Sequence, residues 1–273
     1  MAKGSVRLLA QTDKRTIETF LRTRPADPHL LADLESFIWD QSRWWGLGED
    51  ENLRALVCLI EGPLPIPILC AIAHEGDPFM ARLLNVLEPR LPPRMLVQSP
   101  VGMASALPNH SREMSEPQLK MVLAGKQDFD DEVVRLGMED MDEITKFLST
   151  AYREDEPDTR FFEPYMLEAW PHVGHFRSGT MLAFGGTHIF SKLTGAACIG
   201  NIVTHPTIRG QGLGSRITRS LCAALQNEGA TCIGLNVDAN NYAAKKVYKR
   251  VGFSEVWQFD EFLATRMVSG DLA

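Results

Sequence analysis

The segment Val203-Thr-His-Pro-Thr-Ile-Arg209-Gly-Gln-Gly212-Leu-Gly214-Ser-Arg216 runs from an apolar, strand-like stretch through a glycine-rich turn straight into a helical pattern. Apolar residues at 213, 217, 221 and 225 recur every four positions, so the helix begins at about Gly212 and its first backbone N–H groups have no intrahelical acceptor. Gly210, Gly212 and Gly214 have no Cβ, which permits unusual backbone angles and lets an anion come close to those amides. The helix dipole contributes roughly 0.3–1 kcal/mol at that end, and each hydrogen bond to a charged group about 1.5–3 kcal/mol. Several amides on one pyrophosphate therefore suffice for binding. A G-x-G turn can also serve only to pack a helix on a strand, but the local charge favours the anion. Seven basic residues (Arg209, Arg216, Arg219, Lys245, Lys246, Lys249, Arg250) face only Glu228 and Asp238 in this stretch of an acidic chain.

Working outward, the strand Thr231-Cys-Ile-Gly-Leu-Asn-Val237 precedes a second motif, Asn241-x-x-Ala244-x-x-x-Tyr248-x-Arg250-x-Gly252-Phe253. On a helix, positions 241, 244 and 248 share one face. Upstream, the patterning predicts a strand at 133–136, a helix at 140–151, an acidic loop Arg153-Glu-Asp-Glu-Pro-Asp, and a helix around 164–170. Strands follow around 172–176, 181–190 and 196–204, then helix 213–228, strand 231–237, helix 241–251 and a closing strand over 255–264. The class is α/β, a mixed sheet with helices on its faces.

Arg209-x-x-Gly212-x-Gly214, a helix, a strand, and then Asn241-x-x-Ala244-x-x-x-Tyr248 with Gly252-Phe253 resemble the acyl-CoA-binding core of the GNAT superfamily of N-acetyltransferases. The resemblance is tight over residues 196–260 and looser over 133–260. It implies acetyl-CoA as co-substrate, with Arg209 and the backbone of Gly210, Gln211, Gly212, Leu213, Gly214 and Ser215 around the pyrophosphate. It further implies that the main chain at Ile202, Val203 and Thr204 pairs with pantetheine, that Asn241 contacts the pantetheine arm, and that Asn236 and Ala244 belong to the same cofactor site. Tyr248 would be the general acid beside the thioester sulfur, since a phenol with pKa about 10 is protonated at neutral pH and can supply the departing thiolate. A main-chain N–H near Val203 would stabilise the oxyanion.

The attacking amine must lose a proton, and the sequence leaves the acceptor of that proton open. Cys198-Ile-Gly-Asn-Ile-Val203 contains no Glu or Asp, where some members of the superfamily carry a carboxylate. Candidates elsewhere are His205, His172, His175, His188 and the carboxylates of Glu154, Asp155, Glu156 and Asp158.

The chain also echoes itself. Val6-Arg7-Leu8 returns as Val134-Arg135-Leu136, and Asp13-x-x-x-Ile17-x-x-Phe20-Leu21 as Asp140-x-x-x-Ile144-x-x-Phe147-Leu148, each Asp placed to cap a helix. Cys70 and Cys198 repeat the same spacing inside apolar runs. Two copies of one unit, tandem GNAT folds over 1–125 and 131–273, are expected to meet at the polar stretch Gly125-Lys-Gln-Asp-Phe-Asp-Asp131. The first copy lacks the cofactor motif. His74-Glu-Gly-Asp-Pro-Phe-Met80 is acidic where a basic glycine turn is needed, and a constant offset sets Lys120 against Tyr248 and Glu113 against Asn241. This copy should pack sheet-to-sheet on the second and wall the acceptor site. Its aromatic group Trp39, Trp44 and Trp45 suits packing between helices better than a substrate pocket.

At 273 residues, two domains fit. With 44% hydrophobic and 23% charged residues the chain can build a core, and a net charge of -7 disfavours nucleic acid as a partner. The longest apolar stretch, 55–73, is broken by Glu61 and by prolines at 63, 65 and 67, so no membrane span is expected. The amino terminus lacks a signal-peptide apolar run. Five cysteines without a C-x-x-C pair read as reduced and buried, and the histidine spacing suggests no metal site. Together these point to a cytoplasmic monomer or homodimer acetylating a small-molecule amine or amino acid, by resemblance to two-lobed members similar to glycine acyltransferases. The alternatives are a protein lysine or N-terminal acetyltransferase, or a non-catalytic acyl-CoA sensor.

Overall fold

The computed structural model describes residues 7–9, 13–23, 27–35, 37–49, 52–62, 65–73, 76–151 and 162–267; the carboxylates expected at 153–158 lie outside them. Before the connection at 124–133 come β1 (Arg7–Leu9), α1 (Lys14–Arg22), α2 (Pro28–Asp33), β2 (Ser42–Glu49), β3 (Asn52–Ile60), β4 (Ile68–Ala73), α3 (Pro78–Leu87), β5 (Arg94–Pro100) and β6 (His110–Leu123). After it come β7 (Val134–Arg135), α4 (Met141–Ala151), α5 (Pro164–Ala169), β8 (Val173–Arg177), β9 (Thr180–Ser191), β10 (Ala196–Thr204), α6 (Leu213–Asn227), β11 (Cys232–Asp238), α7 (Tyr242–Val251) and β12 (Phe253–Arg266).

The strands form one sheet in the order β1-β2-β3-β4-β5-β12-β6-β11-β10-β9-β8-β7. Read from either end, the pairing is the same: antiparallel neighbours, then one parallel pair, β4 with β5 and β10 with β11. The apolar triplets that repeat in the sequence do the same work twice, since Ile17, Phe20 and Leu21 of α1 and Ile144, Phe147 and Leu148 of α4 are all buried. The two aspartates differ from the expected caps. Asp13 makes no capping bond and pairs with Arg7 at 3.2 Å, while Asp140 accepts the Gly137 N–H at 2.9 Å in the 3-10 turn before α4.

The halves do not pack sheet against sheet as expected; they join edge to edge. Both closing strands have 14 residues, and each is exchanged into the centre: β12 lies between β5 and β6, and β6 between β12 and β11. An unpaired strand edge leaves a row of N–H and C=O groups unsatisfied, and this exchange pairs both edges at once. The constant offset also fails beyond α6. Between β5 and β6 the first half has only a 3-10 turn, Met103–Ala106, where the second half has α7, so Lys120 and Glu113 lie on β6, the counterpart of β12 and not of α7.

α3 covers one face of β2 to β5, and α6 and α7 cover β9 to β11. α1 and α2 share a core with Trp44, Cys58 and Cys70 of the first half and with Ile189, Ala196 and Cys198 of the second. α2 crosses the seam and packs on β9, β10 and β11, where Gly234 leaves room for Pro28: a Cβ on Gly234 would sit 2.5 Å from its ring. Trp44 and Trp45 are on a strand rather than between helices, and Trp39 opens the 3-10 turn Trp39–Gln41 just before it. Trp45 and Trp44 point to opposite faces of β2, and Trp39 stacks on Trp44 at 5.7 Å. Under the seam the Lys120 ammonium pairs with Asp27 and lies over the rings of Trp257 and Phe259. Burial opposes its charge, but Asp27 outweighs burial and holds the ammonium above its ordinary pKa. All five cysteines are free, and four are buried. No helix among the described residues is long and apolar enough to cross a membrane.

Candidate functional site

β10 and β11 pair only from Ala196–Cys198 to Cys232–Gly234, and beyond that the two strands part. On its other edge β10 shifts register against β9 between Gly200 and Val203, and Asn201 takes a left-handed φ of 50°. A bulge of this kind turns a strand and re-aims its backbone. The parted end of β10 leads through the turn at 206–212 to α6, whose N-cap is Gly212 at φ 87° with no side-chain cap. Gly210 has φ 81°, and a Cβ at either glycine would meet nothing within 4 Å. Backbone conformation, not crowding, therefore calls for glycine here, and the space ahead of the helix is open.

A cavity of about 540 Å³ occupies that space. Ile202, Val203 and Thr204 line it from β10, Arg209, Gly210, Gly212, Leu213, Gly214 and Ser215 from the turn and helix start, and Asn241, Ala244 and Tyr248 from α7. Of the cofactor residues expected from the sequence, Gln211 and Asn236 stand apart from the lining: Gln211 is exposed, and Asn236 sits on β11 opposite Lys120. Pattern reading missed Ala151, Ile208, Ala243 and Val247, which also line the cavity. The α7 residues among these follow from helical spacing, because 243, 244, 247 and 248 share a face. Ala151 comes from the end of α4 on the far side of the sheet, and no local signal marks it.

The basic cluster is split. Arg209, Lys246 and Arg250 line the cavity. Arg216 instead pairs with Asp130, at 3.1 Å, and with Glu132, while Lys249 pairs with Glu255 at 2.7 Å and Lys245 donates to the Ala239 carbonyl at 2.9 Å. Arg209 is anchored as well, donating to the carbonyls of Thr204 and Ala151, each at 3.3 Å.

The donors present fit a diphosphate. The Leu213 and Gly214 amides of the uncapped first turn have no intrahelical acceptor, the Ser215 N–H donates to the Gly212 carbonyl at 3.1 Å, and Ser215 Oγ, buried at the cavity wall, has no hydrogen-bond partner. Asn241 caps α7, its Oδ1 accepting the Ala244 N–H at 3.0 Å, so the motif asparagine has a structural duty as well as a place in the cavity. Tyr248 is buried against Phe253, ring centroids 5.9 Å apart, and packs in the same core as Val251 while lining the cavity.

The histidines named as candidate bases are spread out. His205 caps the 3-10 turn Pro206–Ile208 and bonds Thr207 Oγ1 at 2.8 Å. His175 bonds the Glu132 carbonyl at 2.8 Å. His172 is fully buried, its Nδ1 on the Trp170 carbonyl at 2.9 Å, and burial pushes its imidazole down to about 4. Burial, aided by His172, pushes His188 down to about 4 as well.

Residues 141–253 match the acetyltransferase (GNAT) family model. The chain is 27% identical over 104 residues to N-alpha-acetyltransferase 30 of Schizosaccharomyces pombe, covering 36% of this chain and 68% of that protein. It is 35% identical over 65 residues to GCN5-related N-acetyltransferase 4, chloroplastic, of Arabidopsis thaliana, which is 24% of this chain and only 22% of that protein's length. Among solved structures, a tandem GNAT protein from the clavulanic acid biosynthesis pathway superposes with a TM-score of 0.55 at 14% identity, over 98% of this chain and 100% of that one. Residues 141–253, which span the parted strands, the uncapped helix and Tyr248, thus match the acetyltransferase (GNAT) family within a fold shared with a tandem GNAT protein.

Proposed function

We propose that this protein transfers an acetyl group from acetyl-CoA to a primary amine of a small molecule or amino acid, using the cavity of the second half. The observation that carries the reading is one continuous cavity running from the uncapped start of α6 to Tyr248. When bound, acetyl-CoA supplies an acyl group activated as a thioester. The amides from Gly210 to Ser215, Ser215 Oγ and Arg209 hold its diphosphate, and the backbone of Ile202 to Thr204, with Asn241 and Ala244, aligns the pantetheine arm. Tyr248 donates the proton that the leaving sulfur needs. A backbone N–H of the bulged strand near Val203 receives the oxyanion.

The division into 1–125 and 131–273 is part of this reading, with the first unit a copy that has lost the cofactor site. A cytoplasmic location fits the free cysteines. The Schizosaccharomyces pombe relative's name, N-alpha-acetyltransferase, supports a second acceptor, the amino terminus of a protein. The deciding experiment incubates the protein with acetyl-CoA and a panel of small amines, free amino acids and peptides with a free amino terminus, and follows thiol release. Rapid turnover of one small amine is expected. Turnover of the peptides alone would move the acceptor to proteins, and tight CoA binding with no acceptor would leave a sensor.

A further inference from the structure

Lys246 and Arg250 line the cavity and have no ion-pair or hydrogen-bond partner among the described residues. Their basic neighbours on α7 are occupied: Lys249 pairs with Glu255 at 2.7 Å, and Lys245 donates to the Ala239 carbonyl at 2.9 Å. At 3.6 residues per turn, Lys246 and Arg250 stand about 40° apart on α7 and each about 160° from Tyr248. Ala243 and Val247 fill the arc between and line the cavity as well. Val247 marks the level of the helix start, because a Cβ on Gly214 would meet its two methyl groups at 3.6 Å. The wall of the cavity along α7 therefore runs from the phenol of Tyr248, past the first turn of α6 opposite Val247, to two exposed positive charges.

We propose that Lys246 and Arg250 form a subsite for a phosphate monoester, the 3′-phosphate on the ribose of CoA, and that they select CoA thioesters over donors lacking this group. The proposal rests on the acetyltransferase reading and adds a specificity determinant at the outer end of the same cavity. The groups along α7 follow the order of groups along the donor. The thioester belongs at the Tyr248 end, and the diphosphate at the start of α6, where it has donors of its own in the Leu213 and Gly214 amides, Ser215 Oγ and Arg209. The ribose phosphate comes next along the donor, as the two cations do along the wall. A phosphate monoester carries about −1.5 to −2 charges at pH 7, more than one cation neutralises. Side chains four residues apart on a helix reach the same ligand, and the planar fork of Arg and the point charge of Lys both suit phosphate oxygens. A carboxylate on the acceptor is the competing anion. Its amine must reach the thioester beside Tyr248, and α7 turns Lys246 and Arg250 away from that end.

Calorimetric titration of the intact protein with CoA and with 3′-dephospho-CoA, which differs only by that phosphate, tests the subsite without any turnover. The unaltered protein is expected to bind CoA about tenfold more tightly, about 1.4 kcal/mol. In the double variant Lys246→Gln, Arg250→Gln, verified as folded by an unchanged thermal transition, the two compounds should bind alike. Their common affinity should be that of the unaltered protein for 3′-dephospho-CoA. Lys249→Gln removes one charge from the same helix outside the cavity lining and should keep the preference. Equal binding of both compounds by the unaltered protein, a preference that survives in the double variant, or the same loss in Lys249→Gln overturns the subsite while the acetyltransferase reading stands. An unaltered protein that binds neither compound overturns both.

Discussion

α3 and α6 hold equivalent places in the two halves, each following a strand that runs parallel to the next, and they begin in opposite ways. α3 starts at Asp77, whose carboxylate accepts the Phe79 N–H at 3.0 Å and pairs with Arg54 at 3.0 Å. The helix start is thus closed by its own chain, and any incoming phosphate would meet a fixed negative charge. α6 starts at a left-handed glycine with no side-chain cap, its amides open to a cavity. One fold therefore supports either a sealed or an open helix terminus, and the residue at the N-cap decides which. The loss of α7 from the first half, replaced by the turn Met103–Ala106, removes the second wall of such a site as well.

The comparison is broken most severely by exchanging the residue at the open end. Gly212→Val puts a branched side chain where φ is 87° and is expected to weaken CoA binding at least a hundredfold, about 2.7 kcal/mol, in a calorimetric titration. Tyr248→Phe keeps the cavity but removes the proton, so turnover should fall about tenfold, about 1.4 kcal/mol, with CoA affinity nearly constant. An unchanged rate would take Tyr248 out of the mechanism. At the sealed end, Asp77→Ala should leave CoA binding untouched and cost about 1 kcal/mol of stability through the lost cap, read in urea denaturation. The smallest effect is in the pH response. Burial holds His172 and His188 neutral in the second half, each pushed down to about 4. A folded pKa below the unfolded value of about 6.5 gives stability that is complete above pH 6.5 and lost as pH falls toward 4. His172→Gln should therefore show a smaller drop in melting temperature between pH 7 and pH 5 than the unaltered protein does.

Much of this was legible in the residues. Apolar spacing at 213, 217, 221 and 225 located α6, and Leu213, Ile217, Leu221 and Leu225 are all buried. The echo of Ile17, Phe20 and Leu21 in Ile144, Phe147 and Leu148 announced the second copy, because a buried helix face depends on a local period. The exchange of β6 and β12 could not be read, since which edges meet is settled by pairing between segments more than a hundred residues apart. For the same reason the offset that placed Glu113 and Lys120 against Asn241 and Tyr248 failed: a helix is missing between β5 and β6, and counting cannot see it. Arg216 and Lys249 looked like phosphate ligands because proximity in sequence conceals Asp130, Glu132 and Glu255, which the fold brings to them.

The central claim is that only the open helix start binds the co-substrate. Calorimetric titration of the intact protein with CoA tests it directly. The account predicts one site per chain, lost in Gly212→Val and kept in Asp77→Ala. Two equivalent sites, or undiminished binding in Gly212→Val, would contradict it.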